Sequence, residues 1–388
     1  MKIEQWYKDH FESSLQGRYI SLTTVYPIVN SYKKNFEITV PGKSEMGQDI
    51  PFIKIGHGRN IVLGWSQMHG NESTTTKAIF DFLKFINQKQ YFQTEIKTFL
   101  EHFTFYVFPM LNPDGACNYT RENANGIDLN RDAQALSQRE SQVLRGIFDT
   151  IKPNLCLNLH DQRSIYGFKN GNPAVVSFLS PAADKKRTIT QARIVAMEHI
   201  VRINKTLMAH IPGQVGRYDD SFNEACVGDT FQKNGVPTLL FEAGHIAQDY
   251  SREKTREYIF YSLLTVFGII GKSGEKVDYK EYFDIPENLK NHKDFILRNV
   301  KLEGDSKTVS VAIQYREILQ NGIVNFEPFI DEIGSLKKCF GYIEKNANGA
   351  EILTDSQENL TVGTNISKII DKSNKSVTFF HKNNSILE

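Results

Sequence analysis

The chain has 388 residues, of which 40% are hydrophobic and 23% charged, and its formal net charge is +1. The length exceeds what one hydrophobic core usually holds, so a large domain plus a smaller one is expected, and the composition is that of a globular protein. The near-zero charge gives no case for nucleic acid or an acidic surface as a partner.

Cys117, Cys156, Cys226 and Cys339 are scattered and form no CxxC pair, so reduced thiols are expected rather than a thiolate metal site. The first fourteen residues contain no apolar stretch of the signal-peptide kind. The best apolar run, Tyr261 to Ile270, is too short to span a bilayer. A cytoplasmic enzyme with no membrane partner is the expectation.

In chain order, a short helix is predicted over Ile3–Ser13, with strands near Phe36–Val40 and Phe52–Ile55 and turns at Pro41-Gly42 and Gly56-His57-Gly58. The run Ile61-Val62-Leu63 is β-branched, flanked by Gly58 and Gly64, and reads as a buried strand. It leads to His69-Gly70-Asn71-Glu72, after which Ile79, Phe82, Leu83 and Ile86 mark one face of a helix over Thr75–Gln88. A His and a Glu three residues apart at a strand's carboxyl end can aim at one point, and imidazole plus carboxylate suits Zn²⁺. The plainer alternative is a turn histidine and a solvated glutamate.

A strand rich in aromatics, Phe103–Pro109, runs into the turn Asn112-Pro113-Asp114-Gly115. Tyr119–Asp132 is a long polar loop holding two Arg, two Asp and three Asn, and such loops inside an α/β pattern are usually functional. Helix Ser137–Phe148 follows, then strand Asn154–Leu159, which delivers His160-Asp161 where open α/β sheets place their ligands. Asp161 and Arg163 read as a local ion pair. An insertion-like stretch (Tyr166–Pro181), a helix (Ile189–Ala209) and a polar loop (Gly213–Asp229, with Arg217, Tyr218 and Asp229) precede strand Val236–Phe241, which delivers Glu242. His245 reads as a packing or rim residue, and helix Arg252–Gly268 closes the region.

Gly271–Glu275 reads as a linker, Tyr279–Asn299 as a helix-turn region, and Thr308–Tyr315, Gly322–Asn325, Lys338–Tyr342 and Ser376–His381 as short strands. His292 and His381 are lone histidines without an expected role. The division predicted is a catalytic domain over 1–274 and a small β-rich domain over 275–388. The fold class is α/β: a mixed, mostly parallel sheet with helices on both faces, then the β-rich tail.

Four strand ends or following loops therefore carry His69/Glu72, Arg121 to Arg131, His160 and Glu242, which argues for one convergent site. Two His and one Glu leave a tetrahedral zinc one open position, the catalytic arrangement, with Glu242 spare as a general base. In order, His69-x-x-Glu72, Asn112-Pro113-Asp114-Gly115, Arg121-x-Asn123-x-x-Gly126-Ile127-Asp128-Leu129-Asn130-Arg131, His160 and Phe241-Glu242 resemble the zinc carboxypeptidases, the M14 carboxypeptidase A-like metallopeptidases. The likeness spans about residues 50–270.

The resemblance implies one zinc per chain held by His69, Glu72 and His160, with Glu242 activating the zinc-bound water. Arg121 would bond the oxyanion, and Asn130 and Arg131 would clamp the free carboxylate of a peptide or small amide substrate. Asp128 would lie behind His69, accepting from its far nitrogen, and Tyr218 would cap the substrate. Asn71 stands where pancreatic-type members carry an arginine, which leaves side-chain preference open; Arg217, beside Tyr218, suggests an acidic side chain. The His69-Gly70-Asn71-Glu72 sequence, the string from Arg121 to Asp128-Leu129-Asn130-Arg131 and a carboxyl-terminal β domain together also resemble the aspartoacylase and succinylglutamate desuccinylase branch, which cleaves N-acyl amino acids. A non-catalytic zinc or peptide-binding module is the third class.

Overall fold

The computed structural model describes residues 1–271, 276–302, 307–354 and 360–382; of the linker read at 271–275, residues 272–275 lie outside them. The chain forms two compact units. One comprises Met1–Gln162, Val175–Gly244 and Ser251–Asn288, the other Arg163–Ala174, His245–Tyr250 and Leu289–Glu388.

In the first unit the elements in order are α1 (Ile3–His10), α2 (Leu22–Ser31), β1 (Glu37–Thr39), β2 (Phe52–Gly56), β3 (Asn60–Ser66), α3 (Thr74–Asn87), α4 (Gln93–His102), β4 (Phe103–Phe108), α5 (Pro113–Asn118), α6 (Arg139–Ile151) and β5 (Leu155–Asp161). After β6 (Tyr166–Gly167), which belongs to the second unit, come β7 (Val176–Leu179), α7 (Gln191–Leu207), β8 (Val215–Arg217), α8 (Val227–Lys233), β9 (Thr238–Ala243) and α9 (Glu253–Val266). Eight strands form one sheet in the order β1-β2-β4-β3-β5-β9-β7-β8. Its centre, β4-β3-β5-β9, is parallel, and antiparallel pairs β1-β2, β2-β4 and β7-β9 flank it. This is the mixed, mostly parallel α/β sheet expected from the sequence.

The central strands lie between two layers, so they read as apolar runs rather than as alternation. On one face Leu63 and Trp65 pack with Leu144, Phe148 and Phe231 from α6 and α8. On the other, Phe105 meets Phe82 of α3 and Phe267 beyond α9. Helix α3 is buried nearly all round, charged residues included: Arg256 of α9 makes two 2.6 Å bonds to Asp81, and Lys77 Nζ lies 2.6 Å from Glu253. A buried charge survives only with such a partner.

The structure adds elements that the sequence hides. Helix α2 contains Pro27 and a β-branched run, and α4 follows a left-handed Phe92. The Asn112–Gly115 turn opens helix α5: Asn112 caps it by accepting from the Gly115 N–H (2.8 Å), with Pro113 in the first turn. Within the insertion-like stretch, β7 pairs antiparallel with β9.

The second unit adds β10 (Leu289–Lys290), β11 (His292–Lys301), β12 (Thr308–Gln320), β13 (Ile323–Gly334), β14 (Phe340–Asn346), β15 (Ile352–Thr354), β16 (Lys368–Asp371) and β17 (Thr378–His381). They form sheets β13-β12-β11-β14 and β15-β16-β17, and β6 pairs with β10. The reading of 279–299 as helix-turn is corrected. Only Tyr279–Asp284 is helical, as a 3₁₀ turn, and from His292 the chain is the strand β11. Phe295 and Leu297 enter one core cluster and Ile296 another, so β11 is buried on both faces and shows no alternation. His245 packs on Tyr250 and Tyr342, with ring centroids 4.6 and 4.7 Å away. All four cysteines are free thiols. No helix among the described residues is long and apolar enough to cross a membrane.

Candidate metal centre

Every side chain of the site leaves the carboxyl end of the central strands. Strand β3 ends at Ser66 and the chain turns through His69 to Glu72 before α3 begins. The turn is held from its neighbour: Asn112 donates its backbone N–H to Gln67 O (3.1 Å) and its Nδ2 to Met68 O (3.1 Å), while the Asn71 N–H donates to Thr120 O (3.1 Å). Gly70 lies so close to α5 that a Cβ there would overlap the Gly115 carbonyl carbon and the Ala116 nitrogen. The two motifs thus need one another. Gly70→Ala is expected to cost about 1–3 kcal/mol by overpacking, measured by denaturant unfolding of the metal-free protein.

The polar loop is likewise built. Asn123 Oδ1 accepts from the N–H groups of Asn125 and Ile127 (both 3.1 Å), and Gly126 takes a left-handed φ of 71°. Asp128 is thereby presented as the cap of a short 3₁₀ turn, Leu129–Arg131, accepting from the Asn130 N–H (2.8 Å).

His69 Nδ1 lies 2.8 Å from Glu72 Oε1, His160 Nδ1 lies 2.8 Å from Glu72 Oε2, and the two Nδ1 atoms are 3.1 Å apart. Ligand atoms of His69, Glu72 and His160 all fall within 4.8 Å of one another. His69 Nε2 is 3.0 Å from Asp128 Oδ1, which holds the proton on that nitrogen and leaves Nδ1 a lone pair; Arg121 Nη1 approaches that lone pair at 3.2 Å. Arg121 also grips Asp128 Oδ2 through Nε (3.1 Å) and Nη2 (3.0 Å), and comes within 3.4 Å of Glu72. The strand register sets His160 of β5 beside Glu242 of β9, so their side chains leave neighbouring positions on one face.

Charge explains the proton affinities. Four carboxylates, Glu72, Asp128, Asp161 and Glu242, share this region with Arg18, Arg121 and Arg252. Burial, then Glu72 and Asp161, push Glu242 well above the usual carboxylate range. Burial opposes ionisation of Glu72, but His69 and His160 hold it well below that range. Burial lowers His160, and Glu72 only partly opposes the shift. At His69 burial is outweighed by Glu72 and Asp128, so it is raised. Burial likewise disfavours ionised Asp128, and its bonds to His69 and Arg121 reverse that. Two imidazole nitrogens and a carboxylate converge at one point, a donor set that fits a borderline dication.

Residues 23–170 match the family model described as zinc carboxypeptidase, peptidase M14. Over those residues the chain is similar to the M14 zinc carboxypeptidases. The match supports a hydrolase acting on peptide bonds with zinc as the family's cofactor, and His69, Glu72 and His160 could hold such an ion. The fold is shared with solved structures. A metallo-carboxypeptidase from Burkholderia cenocepacia aligns with a TM-score of 0.53 at 14% identity, covering 64% of this chain and 69% of that one. Bovine thrombin-activatable fibrinolysis inhibitor, solved with a tick carboxypeptidase inhibitor, aligns at 0.50 and 15% identity, covering 64% and 96%. No curated protein sequence matches the chain.

The remaining sequence candidates are placed as follows. Asn130 Oδ1 accepts from the Val227 N–H at the start of α8 (3.1 Å), and Arg131 is exposed, with Nη1 on the Asn130 carbonyl (2.8 Å). Tyr218 is half-buried just past β8, its N–H bonded to Phe178 O (3.1 Å). The Arg217 guanidinium pairs with Glu287 (2.8 Å) and lies over Tyr282 and Phe283. The cation on Asp161 is Arg18 (2.7 Å), 143 residues away in sequence, rather than the adjacent Arg163. No local pattern announces Arg18 or Arg252, because both reach the site from distant segments.

Proposed function

We propose that this protein is a zinc-dependent carboxypeptidase that hydrolyses the last peptide bond of a substrate with a free carboxylate. The supporting observation is the meeting of His69 Nδ1, Glu72 and His160 Nδ1, with Glu242 in register beside His160. His69, Glu72 and His160 would hold the ion. Zinc bound there supplies a Lewis acid and lowers the pKa of a coordinated water toward ~7.

The chain's own groups do the rest. The Glu242 carboxylate makes no hydrogen bond or ion pair with the described residues, and its raised proton affinity suits it to take a proton from water and pass it to the leaving amine. As the water oxygen adds to the carbonyl, the Arg121 guanidinium faces the developing oxyanion, a role worth ~3–4 kcal/mol per donor. The C–N bond then breaks as Glu242 returns its proton to nitrogen. Asp128 holds the His69 tautomer and orients Arg121 through two bonds. Asn130 and the exposed fork of Arg131 bind the terminal carboxylate, and Tyr218 caps the substrate. A cytoplasmic setting is proposed with this, in keeping with four free thiols.

Arg131→Lys is expected to raise KM and lower kcat/KM about 10- to 100-fold, since Lys cannot make two parallel bonds to a carboxylate. Steady-state kinetics on one peptide checks it. The function is tested by mass spectrometry of a peptide library beside N-acetylaspartate and N-succinylglutamate. Stepwise loss of single C-terminal residues is expected. Turnover of the N-acyl amino acids alone would replace this reading with the deacylase one, and zinc binding without turnover would leave a binding module.

A further inference from the structure

Residues 1–22 precede the stretch that matches the M14 family, yet Gly17–Ile20 is bonded into the back of the metal centre. The Gly17 N–H donates to Glu253 (3.0 Å), and its carbonyl accepts from Lys77 Nζ (2.9 Å). Ser73 Oγ donates to the Arg18 carbonyl (2.6 Å), and Gln67 Nε2 donates to the carbonyls of both Ile20 and Gly70 (2.8 Å each). The segment therefore backs the whole turn from Gln67 to Lys77.

Its one charged side chain there, Arg18, is only 6% exposed. Arg18 Nη1 donates to Asp161 Oδ2 (2.7 Å) and Thr74 Oγ1 (2.8 Å), and Nη2 reaches the Asn71 carbonyl (3.4 Å). Thr74 donates its N–H and Oγ1 to the same Asp161 oxygen (3.1 and 2.6 Å). The Asp161 N–H in turn donates to Glu72 Oε2 (3.1 Å). The backbone ladder between β3 and β5 stops at Ser66 and Leu159, one position short of His160 and three short of His69. Beyond the ladder, the Arg18 guanidinium joins the Thr74–Asp161 and Asp161–Glu72 bonds in tying the turn that holds His69 and Glu72 to the strand end that holds His160, and it alone of these brings a positive charge. A neutral side chain could not do this without leaving the Asp161 carboxylate short of charge in a buried place. Arg252 is 4.0 Å from that oxygen and spends Nη1 on the Ala243 carbonyl (2.7 Å).

We propose that Arg18 is a positioning residue for the metal centre, fixing the His69–Glu72 turn against His160 and so setting zinc affinity. This rests on the reading that those three residues hold zinc. The test titrates zinc alone, in competition with a chromophoric chelator, into the full chain at a temperature where circular dichroism shows each variant folded. Arg18→Gln is expected to bind zinc about 10- to 100-fold more weakly than wild type and to alter the visible spectrum of the cobalt(II) form. Arg18→Lys, keeping the charge without the fork, recovers part of the affinity. Wild-type zinc affinity and cobalt spectrum in both variants overturn the proposal even if their Tm falls, because that is the signature of packing alone. If the arginine variants do not fold, Thr74→Val removes only the hydroxyl between Arg18 and Asp161; several-fold weaker zinc supports the role and unchanged affinity ends it. Wild-type protein that takes up no zinc would instead fail the ligand reading itself.

Discussion

Glu242→Gln is expected to lower kcat by about 10²–10⁴, the range for loss of a positioned proton carrier, while leaving zinc affinity within a few-fold of wild type. The substitution keeps the shape of the side chain and removes only its basicity. Glu242 sits beside His160 in the sheet register without being part of the ligand cluster, so the ion keeps all three donors. Parallel measurement of kcat and of bound zinc checks this. A variant that retains near-normal kcat would remove Glu242 from the mechanism, and one that loses zinc would make it a ligand rather than a base.

The second large effect concerns the ion. Zinc at a thousand times its Kd is expected to stabilise the folded protein by about 4 kcal/mol, a shift reversed by chelator and absent in His160→Ala. His160 is buried with its Nδ1 2.8 Å from Glu72, so its loss removes one of the three donors. Protons oppose the ion at His69: burial disfavours its protonated form but Glu72 and Asp128 outweigh that and raise its proton affinity, so in acid a proton must leave before zinc binds. The stabilisation is therefore expected to shrink as pH falls below neutrality. Thermal unfolding with and without zinc across pH checks both points, and equal stabilisation of His160→Ala would place the ion elsewhere.

Much of this site was legible in the sequence because it rests on local patterns. His69 and Glu72 share one turn, Asn123 and Gly126 build the loop that presents Asp128, and β5 and β9 are apolar runs that end at His160 and Glu242. Gly70 and Asn112 look like ordinary turn residues in sequence, and only the close approach of α5 shows why both are needed. Other features depend on partners far along the chain. Lys77 and Asp81 break the apolar face of α3 and make sense only against Glu253 and Arg256. Arg18 meets Asp161 from 143 residues away, and Arg217 is taken up by Glu287. Strand β11 was missed because burial on both faces erases the two-residue period. Helix α2 was missed because Pro27 and its β-branched neighbours are poor helix formers.

The most direct test is a crystal of the zinc-loaded protein, with diffraction recorded on both sides of the zinc absorption edge. A single anomalous peak is expected about 2.0–2.2 Å from His69 Nδ1, a Glu72 oxygen and His160 Nδ1, with Glu242 outside that sphere. A zinc peak bound by other residues, or none at these three atoms in protein that still hydrolyses peptides, would contradict it.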